Sequence, residues 1–102
     1  MRVIYLAGPI TGKPDYQFAF DAAAFALRAK GWIVMNPVEL PQGLTEPAYM
    51  DICLAMVRHC DAVLMLDGWE DSQGASCERS YAMKLGKARF YGTGEVPAVT
   101  RA

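Results

Sequence analysis

Two carboxylates stand where this chain could do chemistry. Glu78 falls with Tyr81, Ala82 and Leu85 at i, i+3, i+4 and i+7, one face of a helix. The other three are residues that pack on a sheet. A glutamate in that company costs free energy unless it is hydrogen-bonded or protonated. Chains hold such a residue most readily where it reacts. The plainer alternative is a rim position that only favours the helix N-terminus through the macrodipole. Asp51, between Met50 and Ile52, borders the buried stripe of the preceding helix near its start. It is either a first-turn dipole partner or a second site carboxylate aimed over the sheet edge toward Glu78. Paired carboxylates suit a reaction at a sugar. The transition state is oxocarbenium-like and cationic, so an anion stabilises it, and a carboxylate can attack the anomeric carbon and leave again.

Other groups gather around these two. Ser72, Gln73, Gly74 and Ser76 lie at a helix start, where free backbone N–H groups suit an anion such as a phosphate. Serines there commonly do no more than cap the helix. Trp69, on a loop, could cover a flat ligand or anchor an interface. Tyr5 sits near the end of the first strand. His59, near a helix C-terminus, reads as structural, and no Ser-His-Asp arrangement is supported without a nucleophile elbow.

These residues need elements to hold them. Arg2 to Ala7 reads as a fully buried strand from its continuous apolar run. The glycines and prolines of 8–14 make a loop. A helix follows from about Asp15, a plausible N-cap, to Lys30, with Phe18, Ala22, Phe25 and Ala29 on one face. Gly31 stops it. Trp32 to Met35 is a short strand, ended by Asn36 and Pro37. Residues 38–47 hold Pro41, Gly43 and Pro47 and read as loop. A second helix spans about Ala48 to His59, with Tyr49, Ile52, Cys53, Met56, Val57 and Cys60 inward. Asp61 is a turn residue at the far end of the third strand, Ala62 to Leu66. The third helix covers about Gly74 to Leu85, and Gly86 ends it. Ala88 to Tyr91 is a candidate fourth strand, and the last ten residues read as an irregular tail. The order βαβαβα(β) calls for an α/β fold: a small doubly wound parallel sheet flanked by helices, with right-handed crossovers. Ligands bind such sheets beyond the strand C-termini, where loops 7–14, 36–47 and 67–74 converge.

With 102 residues, one domain over 1–102 is expected. Hydrophobic residues form 53% of the chain, which excludes a disordered chain. The net charge of -1, without a basic stripe, argues against a nucleic-acid partner. No apolar run approaches the roughly 20 residues of a membrane span, and no signal-peptide pattern opens the chain. Neither the G-x-G-x-x-G nor the Walker A pattern is present, so no dinucleotide or ATP cofactor is called for. Cys53, Cys60 and Cys77 lack metal-ligand spacing. Buried reduced thiols at 53 and 60 suit a cytoplasmic location. Met83, Phe90 and Tyr91 read as apolar surface without an intrachain cover, which suggests a homodimer or higher oligomer.

The opening Met1 to Ile10 resembles that of the nucleoside 2-deoxyribosyltransferase-like superfamily. Asp51 with Cys60-Asp61-Ala62-Val63, and the Ser72 to Glu78 turn followed by Tyr81-Ala82, extend the likeness over about Met1 to Leu85. More narrowly, the chain resembles the short phage and bacterial group called domain of unknown function DUF4406. Its pieces recur in order: Ala7-Gly8-Pro9-Ile10-Thr11-Gly12, Asn36-Pro37, Cys60-Asp61, Gly68-Trp69-Glu70 with Ser72, Gly74-Ala75 and Glu78, then Ala82 with Leu85-Gly86.

The resemblance implies a Rossmann-like fold and cleavage or transfer at an N-glycosidic bond of a nucleoside or nucleoside monophosphate. It implies Glu78 as the nucleophile at C1′, and Asp51 as a carboxylate that binds the sugar and helps protonate the leaving base. Tyr5 and Gly8 would line the pocket, and Pro9 and Trp69 are further candidate substrate-binding residues. Ser72 and Gly74 would hold a 5′-phosphate in the nucleotide-cleaving branch. The chain is shorter than characterised transferases and lacks most of the C-terminal portion that completes their pocket. Two other classes are a non-catalytic binder of a nucleotide-like metabolite, and a phage accessory protein with no small ligand.

Overall fold

The computed structural model describes residues 2–100. Four parallel strands form one sheet in the order β2-β1-β3-β4: β1 Val3–Ala7, β2 Ile33–Met35, β3 Ala62–Met65 and β4 Ala88–Tyr91. Three helices connect them: α1 Tyr16–Ala29, α2 Glu46–His59 and α3 Gln73–Lys84. The expected α/β architecture is the observed one. α1 covers one face of the sheet, and α2 and α3 cover the other.

Alternation along the strands sorts the core into two layers. Ile4 and Leu6 of β1, with Ala62 and Leu64 of β3, meet Phe20, Ala23, Ala24 and Leu27 of α1. Tyr5 and Ala7, with Val63 and Met65, face Cys53 and Val57 of α2 and Ala75 and Ala82 of α3. Every residue of β3 is buried. That is why β1 and β3 read as unbroken apolar runs: each strand has a helix layer on both sides.

Phe18, Ala22, Phe25 and Ala29 share one face of α1; it is the outer face, and all four are exposed. Two expectations need correction. Leu85 caps α3 and is 40% exposed, so the buried residues of α3 are Ala75, Glu78 and Ala82. The expected tail is tied down over 93–99, its last two residues lying outside the described ones. After a 3-10 turn at Thr93–Glu95, Val96 enters the α1 layer with 2% of its surface exposed. Lys30 Nζ donates to the carbonyls of Thr93 (2.8 Å) and Val96 (2.7 Å), and Trp32 Nε1 donates to that of Pro97 (2.7 Å). These bonds lie 63 to 66 residues apart in sequence, beyond the reach of local pattern reading.

At the N-terminal end of the two central strands, the Asp61 carboxylate accepts the backbone N–H groups of Arg2 (2.8 Å) and Val3 (3.0 Å). It closes the far end of β1, as its turn position suggested. Those bonds hold its carboxyl below the usual carboxylate range. Residues 37–39 form a 3-10 turn instead of loop, because the Oδ1 of buried Asn36 accepts the Val38 N–H and Pro37 fixes the first φ. α2 starts two residues earlier than expected. Thr45 Oγ1 caps it through the Ala48 N–H, and Pro47 costs nothing in a first turn whose N–H groups have no helical partner.

Candidate active site

A cleft of about 270 Å³ opens beyond the C-terminal ends of β1 and β3. These strands are sequence neighbours of helices on opposite faces, so the cleft lies at the switch point where ligands enter such sheets. Glu78, from the second turn of α3, stands in its wall and is 7% exposed. Tyr5, on β1 directly beneath, donates its Oη–H to Glu78 Oε2 at 3.0 Å. Oε1 takes no protein donor among the described residues. Burial pushes the Glu78 carboxyl up to about 7, and the bond from Tyr5 opposes the rise. Burial, and then the Glu78 charge, push the Tyr5 phenol well above its ordinary range. Tyr5 therefore stays protonated at neutral pH and acts as the donor of the pair.

Cys53 of α2 lies beside them in the cleft wall, its thiol pushed up by burial. A thiol so raised is neither a nucleophile nor a ready metal ligand at neutral pH. No cluster of three metal-binding side chains occurs among the described residues.

Close backbone approach shapes the floor. A Cβ on Gly8 would lie 2.9 Å from Leu66 Cβ and 3.3 Å from Phe20 Cζ. Any side chain at position 8 would push the exits of β1 and β3 apart. Gly68 takes the left-handed conformation, φ 86°, that turns the chain back after β3 toward α3. Ser72 caps α3, its Oγ accepting the Ala75 N–H at 3.1 Å. The capping role holds, and the hydroxyl proton stays free to donate into the cleft that Ser72 and Gly74 both line.

Five of the eight residues singled out from the sequence thus line one cleft: Glu78, Tyr5, Gly8, Ser72 and Gly74. Three lie elsewhere. Asp51 is exposed and borders a separate depression with Leu54, Arg58, His59 and Tyr81. Its helical phase is the reason: Met50 and Cys53 point into the cleft, so Asp51 turns away. Pro9 lines a neighbouring groove beside α1. Trp69 packs against Tyr91, ring centroids 6.0 Å apart, with the Arg79 guanidinium 5.0 Å from its ring centre.

The sequence reading missed Glu46, Tyr49 and Cys53. Glu46, in the first turn of α2, is the second carboxylate of the cleft. Tyr49 donates to the Pro41 carbonyl at 2.6 Å and accepts the Leu44 N–H, pinning the 41–44 loop over the mouth. Tyr49 and Cys53 were legible as inward residues of α2. That their stripe ends in a cleft was not.

Solved structures share this fold. The CMP N-glycosidase BcmB of Clostridium botulinum superposes with a TM-score of 0.69 at 20% identity, over 88% of this chain and 70% of that one. A 2-desoxiribosyltransferase from Leishmania mexicana gives 0.68 at 24% identity, over 89% of this chain and 63% of its own length. No curated protein matches the chain by sequence. The model of the family described as Domain of unknown function (DUF4406) matches residues 2–91, and the chain is a member of that family.

Proposed function

We propose that the chain binds a nucleoside in this cleft and breaks or exchanges its N-glycosidic bond, with Glu78 as nucleophile. The observation that carries the reading is the Glu78–Tyr5 pair: a cleft-lining carboxylate, buried, oriented through one oxygen and unengaged at the other. The enzymatic names of both fold neighbours agree with it. In the first step a Glu78 oxygen bonds to C1′ as the C1′–N bond breaks. The electron pair passes to the base, which takes a proton. In the second step water or another base attacks C1′, the ester bond breaks, and Glu78 is regenerated. Glu46 takes the role the resemblance gave to Asp51. It accepts from the sugar hydroxyls and relays the proton at the open mouth.

The lining favours an uncharged nucleoside over a monophosphate. Among the described residues it holds two carboxylates, Glu46 and Glu78, and no Lys, Arg or His. A helix N-terminus contributes about 0.3–1 kcal/mol toward an anion, and up to about 2 when partly buried. Against that stand Glu78, ionised above about pH 7, and Glu46, exposed at the mouth, which both repel a dianion. Ser72 and Gly74 then meet the 5′-hydroxyl.

The test is release of free base from a panel of nucleosides and their monophosphates, followed by chromatography. Release from nucleosides, rising with pH through about 7 as Glu78 ionises, is the expected result. A rate that falls through the same range makes Glu78 a general acid and sinks the nucleophile. Preference for monophosphates removes the charge argument. The chain spans 63% and 70% of the two neighbours' lengths. A second reading is a binder without turnover. Tight binding with no base release would establish it.

A further inference from the structure

Charge and aromaticity in the cleft point the same way. Glu78 is 7% exposed, and no Lys, Arg or His of the described residues lines the cleft, so the protein supplies its carboxylate with no counter-charge there. An unpaired buried charge is costly, and a bound cation relieves the cost. Glu46, exposed in the first turn of α2, is a second carboxylate at the mouth. Four aromatic rings share the wall: Tyr5, Tyr16, Phe20 and Tyr49. Tyr16 and Tyr49 are half-buried, so part of each side chain is open to a ligand. Aromatic faces attract cations, most strongly where water is displaced. Proton donors for a departing base are scarce by contrast. The phenols of Tyr5 and Tyr49 direct their protons to Glu78 and to the Pro41 carbonyl. Asp51 stands outside the cleft. Glu46 is the one other carboxyl in the described lining.

We propose that the cleft selects a nucleoside whose base is a cationic heteroaromatic ring, a pyridinium or an N7-alkylated purinium, with the charge shared by the glycosidic nitrogen. This rests on Glu78 as the nucleophile and narrows the substrate class. The chemistry then closes without a general acid. A Glu78 oxygen bonds to C1′ and the C1′–N bond breaks. Its electron pair returns to the ring nitrogen, and the base leaves neutral with no proton to collect. Water attacks C1′, the electron pair of the ester C1′–O bond returns to Glu78, and the surplus proton of the water passes to solvent. The first step cancels the carboxylate against the cation, which a poorly solvated site favours over the creation of charge. A neutral nucleoside gains none of this, because its base departs as an anion unless a proton reaches it.

The test uses two ligand pairs that differ chiefly in charge: 7-methylguanosine against guanosine, and nicotinamide riboside against its neutral dihydro form. Titration calorimetry of the full chain should give the cationic member of at least one pair an affinity higher by about tenfold or more. Base release should favour the same member once it is divided by the rate without protein, since cationic bases also leave more readily unaided. A preference confined to one pair identifies the ring as purinium or pyridinium. Glu78→Gln and Glu46→Gln should each narrow the affinity ratio within the pair. Sugar contacts are common to both members and cancel from that ratio. Equal, weaker or absent binding of both cations overturns the proposal, and so does a preference that survives both variants. Cation-selective binding without base release from any nucleoside keeps the ligand class and sinks the catalytic reading. Release from neutral nucleosides alone keeps Glu78 as nucleophile and sinks the cation.

Discussion

The two faces of one sheet are built to different rules. On the α1 face, the buried cluster of Ile4, Leu6, Phe20, Leu27, Trp32, Leu64 and Val96 is apolar apart from the tip of one indole. On the other face, the same two central strands meet a layer that contains a phenol, two thiols and, at its edge, a carboxylate: Tyr5, Cys53, Cys60 and Glu78. Consecutive residues of β1 serve both, Ile4 and Leu6 for packing and Tyr5 for the site. The first layer supplies stability. The second gives some of it up, because a carboxyl pushed to about 7 is more costly to bury than an amide or a methyl group.

Replacing Glu78 by Gln probes this contrast most strongly. Base release should fall by about a thousandfold or more, since an amide cannot form the glycosyl ester. The same change should stabilise the protein at pH 8. Folding raises the Glu78 carboxyl from 4.5 to about 7. Its contribution to stability is whole below 4.5, declines as pH rises toward 7 and is flat above, a fall of about 3 kcal/mol. Urea titrations at pH 4.5 and pH 8 should show that fall in the wild type and its loss in Glu78→Gln. A variant less stable than wild type at pH 8 would mean that the carboxylate is not strained.

Leu27→Ala tests the opposite face. It should cost about 2–5 kcal/mol in chemical denaturation, as buried leucines do, while base release per folded molecule is unchanged. A selective loss of turnover would couple the two layers. Tyr5→Phe is expected to be intermediate. It leaves burial of Glu78 unopposed, so the rising limb of the pH–rate profile should move above pH 7, with a loss of about 10- to 100-fold at neutrality. Asp51→Asn should change base release by less than about twofold, as expected for an exposed residue outside the cleft. A large effect would return Asp51 to the site, presented from another copy.

Where the pattern is local, the sequence shows these things plainly. The buried runs of β1 and β3 name themselves, and so does a glutamate among sheet-packing residues of α3. What fails is phase and distance. Asp51 and Cys53 differ by two positions, about 200° around the helix, and only the packed direction of α2 decides which faces the cleft. Phe18 and Phe25 carry the strongest apolar signal of α1 yet point outward, because small residues at 23 and 24 let α1 sit close to the sheet. Nothing near Val96 announces that it will bury itself against a helix that ended at residue 29.

The chain has two tryptophans, and the fold gives each layer one. Trp32 is enclosed on the α1 side, its indole bonded to the Pro97 carbonyl. Trp69 is half-buried at the margin of the other layer under the Arg79 guanidinium. Their emission should differ in colour and in access to quenchers. The single-tryptophan variants Trp32→Phe and Trp69→Phe thus convert the two sides of the sheet into separately readable optical signals.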